Sequence, residues 1–156
     1  MQSVVRNKMD ELKATLRVAL ANHFIAYFKA AAYHWNTEGI EFPQYHEFFG
    51  DLYGDYYGQI DTLAEYLRIL GDYAPCSLME MYNYKTISED ASKPETLMGM
   101  LGNIGSANQQ LVENLNKLFD VATAAKEQGI ADYAAGKLDD YKKHAWMIRS
   151  CLKSGE

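Results

Sequence analysis

The chain has few of the residues that staple or punctuate a small protein. Only two cysteines and three prolines occur in 156 residues. Cys76 and Cys151 lie far apart and fit neither a CxxC pair nor a zinc spacing, so they read as reduced thiols rather than a scaffold. No stretch approaches the roughly 18 apolar residues of a membrane span. The opening MQSVVRNKMDELK has no apolar core of a secretory leader. We therefore expect a soluble, cytoplasmic protein with no membrane partner. Basic residues are also scarce: 15 Lys and Arg stand against 21 Asp and Glu, giving a net charge of −6. That balance favours cations over phosphate backbones as partners. No run alternates like a β-strand, and no internal repeat is present. The motif Glu-x-x-His is missing too, so the usual in-bundle di-iron set of four glutamates and two histidines is not available.

What is present is helical periodicity in a chain that is 48% hydrophobic, enough for one domain with a real core, residues 1–156. From about Val4 to Asn36, Met9, Leu12, Leu16, Leu20, His23, Tyr27, Ala30 and His34 recur at three-and-four spacing, the mark of a long helix with one buried stripe. Gly39 follows its end and Pro43 suits the first turn of a second helix, which runs to Gly71. Ser77–Tyr84 has the composition of a short helix and Lys85–Lys93 of a loop. The sequence predicts a third helix opening at Pro94, an interruption at Gly129, and a fourth helix from Ile130 to Leu152. Two long helices, a lengthy crossover and two more describe an all-α, ferritin-like four-helix bundle with a short extra helix between helices 2 and 3.

Four side chains carry the chemistry. Asp61 and Glu65, four apart in QIDTLAEYL, share one face of the second helix. Two carboxylates there repel unless a cation or proton intervenes; ion pairs to Arg68 or a neighbouring Lys are the plain alternative. His34, near the end of the first helix, and His46, near the start of the second, meet if the two helices form an antiparallel hairpin. Two facing imidazoles shift the odds from core histidines towards metal ligands. The fifteen residues from His46 to Asp61 span about 22 Å of straight helix, so one ion cannot touch both in one chain. Either the carboxylates act on a site completed by a second subunit across a two-fold axis, or Asp61 pairs within the chain with His23, which lies at a similar level.

The segments HWNTEGIEFPQYHE and DTLAEYLRILG resemble the Dps family, the DNA-binding proteins from starved cells or miniferritins, and the resemblance extends over nearly the whole chain to the closing KHAWMIRS. It implies a ferroxidase site between two-fold-related subunits, with His34 and His46 of one and Asp61 and Glu65 of the other binding iron. It further implies a twelve-subunit hollow shell in which Fe(II) is oxidised with hydrogen peroxide, or with oxygen, and stored as Fe(III) mineral. Trp35 beside the first histidine is a candidate electron donor, as are Tyr53 and Tyr57, whose simpler role is packing. Glu127 and Asp132, near the start of the last helix, are candidates for an iron-entry pore, although Asp132 equally suits a helix N-terminus. One departure stands out. The family usually carries Asp one turn after the second histidine, where this chain has Gly50, with Asp51 rotated by about 100°; a second iron position is expected to be poorly held. Members that bind DNA often use a basic terminal arm. Here Arg6 and Lys8 fall within the first helix, and Lys142, Lys143, Arg149 and Lys153 are spread round the last, so weak or absent DNA binding is expected. The alternatives are a DNA-protecting protein and a member whose metal site is idle.

Overall fold

The computed structural model describes residues 1–153; the closing Ser-Gly-Glu lies outside the described residues. Five helices follow in order: α1 Gln2–Asn36, α2 Phe42–Ile69, α3 Leu78–Tyr84, α4 Leu97–Ala124 and α5 Gln128–Leu152. No strand occurs among the described residues. The expected all-α bundle is present, with α3 as the short helix in the crossover.

Local chemistry sets the boundaries. At the end of α2, Gly71 takes φ 86°, its N–H donates to Arg68 O at 3.0 Å and the Asp72 N–H donates to Leu67 O at 3.0 Å. This is the paired closure in which a left-handed residue satisfies the last carbonyls of a helix. Ser77 starts α3 by accepting the Glu80 N–H at 3.1 Å, and the Glu80 carboxylate reaches back to the Cys76 N–H at 3.0 Å.

Two sequence expectations need correction. The third long helix starts at Leu97, not Pro94, because Thr96 Oγ1 accepts the Gly99 N–H at 3.1 Å and so caps it. The break before the last helix lies at Lys126, not Gly129. Lys126 has φ 61°, its N–H donates to Thr123 O at 3.1 Å, and the Glu127 N–H donates to Ala122 O at 2.9 Å. This is the closure seen at Gly71, made here by a lysine, while Gly129 lies inside α5.

α1 and α2 pair as one hairpin, α4 and α5 as another, and α1 packs on α4. Leu12, Leu16, Leu20, Leu63, Leu67, Leu101, Ile104, Leu111, Leu115 and Ile148 fill the space between them and are almost wholly removed from water. Asn22 ties the crossover to this core. Its amide donates to Thr86 Oγ1 at 2.8 Å and to Asn114 Oδ1 at 2.7 Å, while its oxygen accepts the Thr86 and Ile87 N–H groups at 2.8 and 3.1 Å. Such anchoring joins α1 to the crossover and to α4, while the packing of α1 on α2 decides which histidines meet.

Candidate metal centre

At the closed end of the hairpin, His34 and His46 lie face to face. Their ring centroids are 3.7 Å apart with planes 15° from parallel. His34 Nδ1 is 2.5 Å from His46 O, and His46 Nδ1 is 2.7 Å from His34 O. A backbone carbonyl can only accept, so both rings carry their hydrogen on Nδ1. Each neutral imidazole then has its lone pair on Nε2, and no hydrogen bond among the described residues engages either Nε2. The bond to His34 O also satisfies a carbonyl in the last turn of α1 that has no partner within the helix. Phe42 stacks on the outer face of His46 at 4.9 Å, and Tyr53 stands edge-on to His34 at 5.3 Å. The pair is thus held on four sides before any ligand arrives, which is how metal-binding imidazoles are oriented.

Asp61 and Glu65 sit further along α2 and are exposed. The Asp61 carboxylate holds the Glu65 carboxyl above its usual range, first through a shared hydrogen bond and then through charge repulsion. The ion pairs offered as the plain explanation are not made: Arg68 donates to Asp72 O at 2.9 Å and lies over the Tyr73 ring at 4.6 Å. Among the described residues no salt bridge reaches Asp61 or Glu65, and no three His, Cys, Asp or Glu side chains of the single chain converge as a metal site.

The within-chain alternative of His23 with Asp61 is overturned. His23 is completely buried. Its Nδ1–H donates to Ala19 O at 2.6 Å, and its Nε2 accepts from the Tyr141 hydroxyl at 2.9 Å. Burial pushes its pKa down to about 4. It is a neutral core residue with both nitrogens occupied, one of them by Tyr141 of α5, so neither is left for Asp61 on the exposed edge of α2.

The remaining candidates are placed as follows. Trp35 is 60% exposed and packs edge-on against Phe28 at 6.1 Å, in an apolar groove between α1, α3 and residues 89–95 that Phe24, Leu78, Met81 and Tyr82 also line. The aromatics against the histidines are Phe42 on His46 and Tyr53 on His34, and Tyr27, which the sequence places merely on the core stripe, continues the line from Tyr53. Its ring lies 6.1 Å from Tyr53 and 5.0 Å from Tyr57, one turn before Asp61. Glu127 occupies the N-cap position of α5 without capping it through its side chain, and Asp132 is exposed one turn on. Gly50 faces His34. Asp51 instead lines a groove between α2 and α5, where His144 Nε2–H donates to Asp55 at 2.9 Å. Burial lowers the His144 pKa in spite of Asp55. His144 gave no signal in the sequence because its apolar neighbours already satisfied the helical period.

Comparison with known proteins gives the family and the fold. The ferritin-like domain profile matches residues 13–156. The DNA protection during starvation protein of Brevibacillus brevis is 31% identical over 150 residues, 96% of this chain and all of that one. This chain belongs to the Dps family of ferritin-like proteins. A low temperature-induced protein of a Nostoc species is 30% identical over 135 residues, covering 86% of this chain and 75% of that one. The crystal structure of Dps from Thermosynechococcus elongatus superposes with a TM-score of 0.92 over 97% of this chain and 96% of that one; at 22% identity it speaks for the fold alone. At the level of the family, membership supports iron storage or DNA protection. As a Dps chain, the protein has no helix long and apolar enough to cross a membrane among the described residues.

Proposed function

We propose that this Dps chain is a ferroxidase and iron-storage subunit. Fe(II) is its substrate, bound by His34 and His46 of one subunit and by the partner subunit's Asp61 and the partner subunit's Glu65. The observation that carries this reading is the reciprocal bonding of the two histidines, which commits each Nδ1–H to backbone and leaves each Nε2 lone pair for a cation. Asp61 and Glu65 supply the complementary half: two carboxylates without a basic partner, whose mutual repulsion a divalent cation relieves. Two imidazoles and two carboxylates suit iron in both oxidation states, and the carboxylates balance the charge of Fe(II).

The two halves cannot meet in one chain, so the unit that acts is a two-fold dimer with two such sites, within a dodecameric hollow shell. The exposed apolar groove around Phe28, Trp35, Leu78 and Tyr82 is the kind of face a subunit buries against a neighbour. Hydrogen peroxide is the preferred oxidant, with oxygen as the slower one. Each peroxide takes one electron from each of two Fe(II) ions and two protons, and leaves as two waters. The histidines bind and orient, Phe42 and Tyr53 keep the rings from turning, and the partner subunit's Asp61 and the partner subunit's Glu65 supply negative charge to the cation. Fe(III) passes to the cavity as mineral. Glu127 and Asp132 are the proposed acidic lining of its entry pore. Trp35, exposed at the edge of the histidine level, is the proposed sacrificial electron donor.

A mixing experiment tests the shared site. Shells of His46→Ala subunits and shells of Asp61→Asn subunits should each be inactive towards Fe(II) and peroxide. Dissociated and reassembled together, random pairing should restore about a quarter of the sites, because each mixed dimer regains one complete site. No recovery in mixed shells of full size would refute a site built from two subunits.

A further inference from the structure

Gly50 lies one turn after His46, on the face of α2 that meets α1. A Cβ built there would stand 3.0 Å from His34 Nδ1 and 3.1 Å from His34 Cε1. Contacts so short force something to move. The His34 ring has little room to give: it is stacked on His46 at 3.7 Å, edged by Tyr53, and bonded through Nδ1 to His46 O at 2.5 Å. The carbonyl it bonds lies on α2 one turn before Gly50. The ring therefore lies in the volume that any other residue at position 50 would fill. Nothing in the backbone asks for glycine there, since Gly50 is helical and, among the described glycines, only Gly39 and Gly71 have positive φ. In a helix interior glycine is a poor choice, less favourable than alanine. Gly54, one turn further along α2, has no atom within 4 Å of a built Cβ, which makes it the natural comparison.

We propose that Gly50 is the positioning residue of the histidine pair: its missing side chain is the space into which the His34 ring is laid so that the ring can bond to the His46 carbonyl and stack on the His46 imidazole. Position 50 thus sets the composition of the site. It trades a side chain that could have been a third ligand from this subunit for a rigid two-nitrogen clamp. The consequence for cation binding rests on the function proposed above, whereas the packing of Gly50 against His34 does not.

The test separates those two layers by a change of sign. In metal-free protein, Gly50→Ala should lower Tm by at least about 3 °C, while Gly54→Ala should leave it unchanged or raise it. In a His34→Ala background the ring is gone, and Gly50→Ala should now raise Tm through helix propensity. The same shift in both backgrounds overturns the proposal. So does failure of both Gly50→Ala and the double variant to fold, whereas folding of the double variant alone supports it. Zn(II) titrated calorimetrically into assembled shells reads the functional layer. Affinity should fall at least tenfold for Gly50→Ala and hold for Gly54→Ala. If His34→Ala abolishes Zn(II) binding and Gly50→Ala leaves it intact, the positioning role is refuted. If His34→Ala itself leaves binding intact, the metal reading of the histidines fails, and the Tm reversal still decides whether Gly50 makes room for His34.

Discussion

His34 and His46 each donate a ring N–H to the other's backbone carbonyl, at 2.5 and 2.7 Å. The relationship joins two helices, sets two tautomers and frees two lone pairs at once. Replacing either ring by alanine removes half of the nitrogen donors and takes away the ring on which the survivor stacks, although the survivor's own N–H keeps its backbone carbonyl. Fe(II) oxidation with peroxide, followed by absorbance in assembled shells, should fall at least tenfold for His34→Ala and for His46→Ala. A rate equal to that of the natural chain in either variant would withdraw the assignment.

The left-handed Lys126 offers a test of stability alone. A β-carbon at φ 61° costs roughly 1 kcal/mol that glycine does not incur, and the two closing hydrogen bonds come from backbone and survive substitution. Lys126→Gly should therefore raise stability by up to about 1 kcal/mol, read from the urea midpoint. A lower midpoint would mean that the lysine side chain has a compensating contact.

The buried His23 predicts an acid limb in stability. The unfolded histidine takes up a proton near 6.5, while the folded one resists until about 4. Between those values the unfolded state holds more protons, so stability rises with pH in this window and is lost as pH falls through it. The interval corresponds to on the order of 3 kcal/mol. Urea midpoints measured from pH 7 to pH 4 should drop accordingly, and His23→Gln should flatten this part of the slope.

Asn22 predicts what holds the crossover down. Its amide group makes all four of its hydrogen bonds, two of them to the N–H groups of Thr86 and Ile87. Asn22→Ala leaves those donors without partners and should cost roughly 2–4 kcal/mol. Limited proteolysis should then cut between residues 85 and 96 before it cuts elsewhere.

With a net charge of −6 per subunit, shells should bind DNA weakly or not at all. Gel shifts at low salt should show at most a faint complex, lost at moderate salt. A complex that persists at moderate salt would favour the DNA-protecting role named for the Brevibacillus brevis relative.

The sequence by itself determined the helices, their pairing and the spacing of the four site residues. Within each long helix apolar residues repeat every three or four positions, and hydrophobic burial acts on that period whatever else the chain does. Capping was legible only in part: Gly71 announced its turn, but the same backbone closure at Lys126 uses no glycine, and Gly129 drew attention away from it. The family match confirms the fold that this period implied. What only tertiary structure decided is which atom lies against which. Periodicity cannot tell a histidine bonded inward to Tyr141 from one stacked on another histidine, so His23 and His34 look alike on one stripe. Nor can it show that Gly50 is occupied space rather than a missing ligand. A side chain's period reports the face it lies on; its partners are fixed by the neighbouring helix, and those depend on how the whole bundle closes.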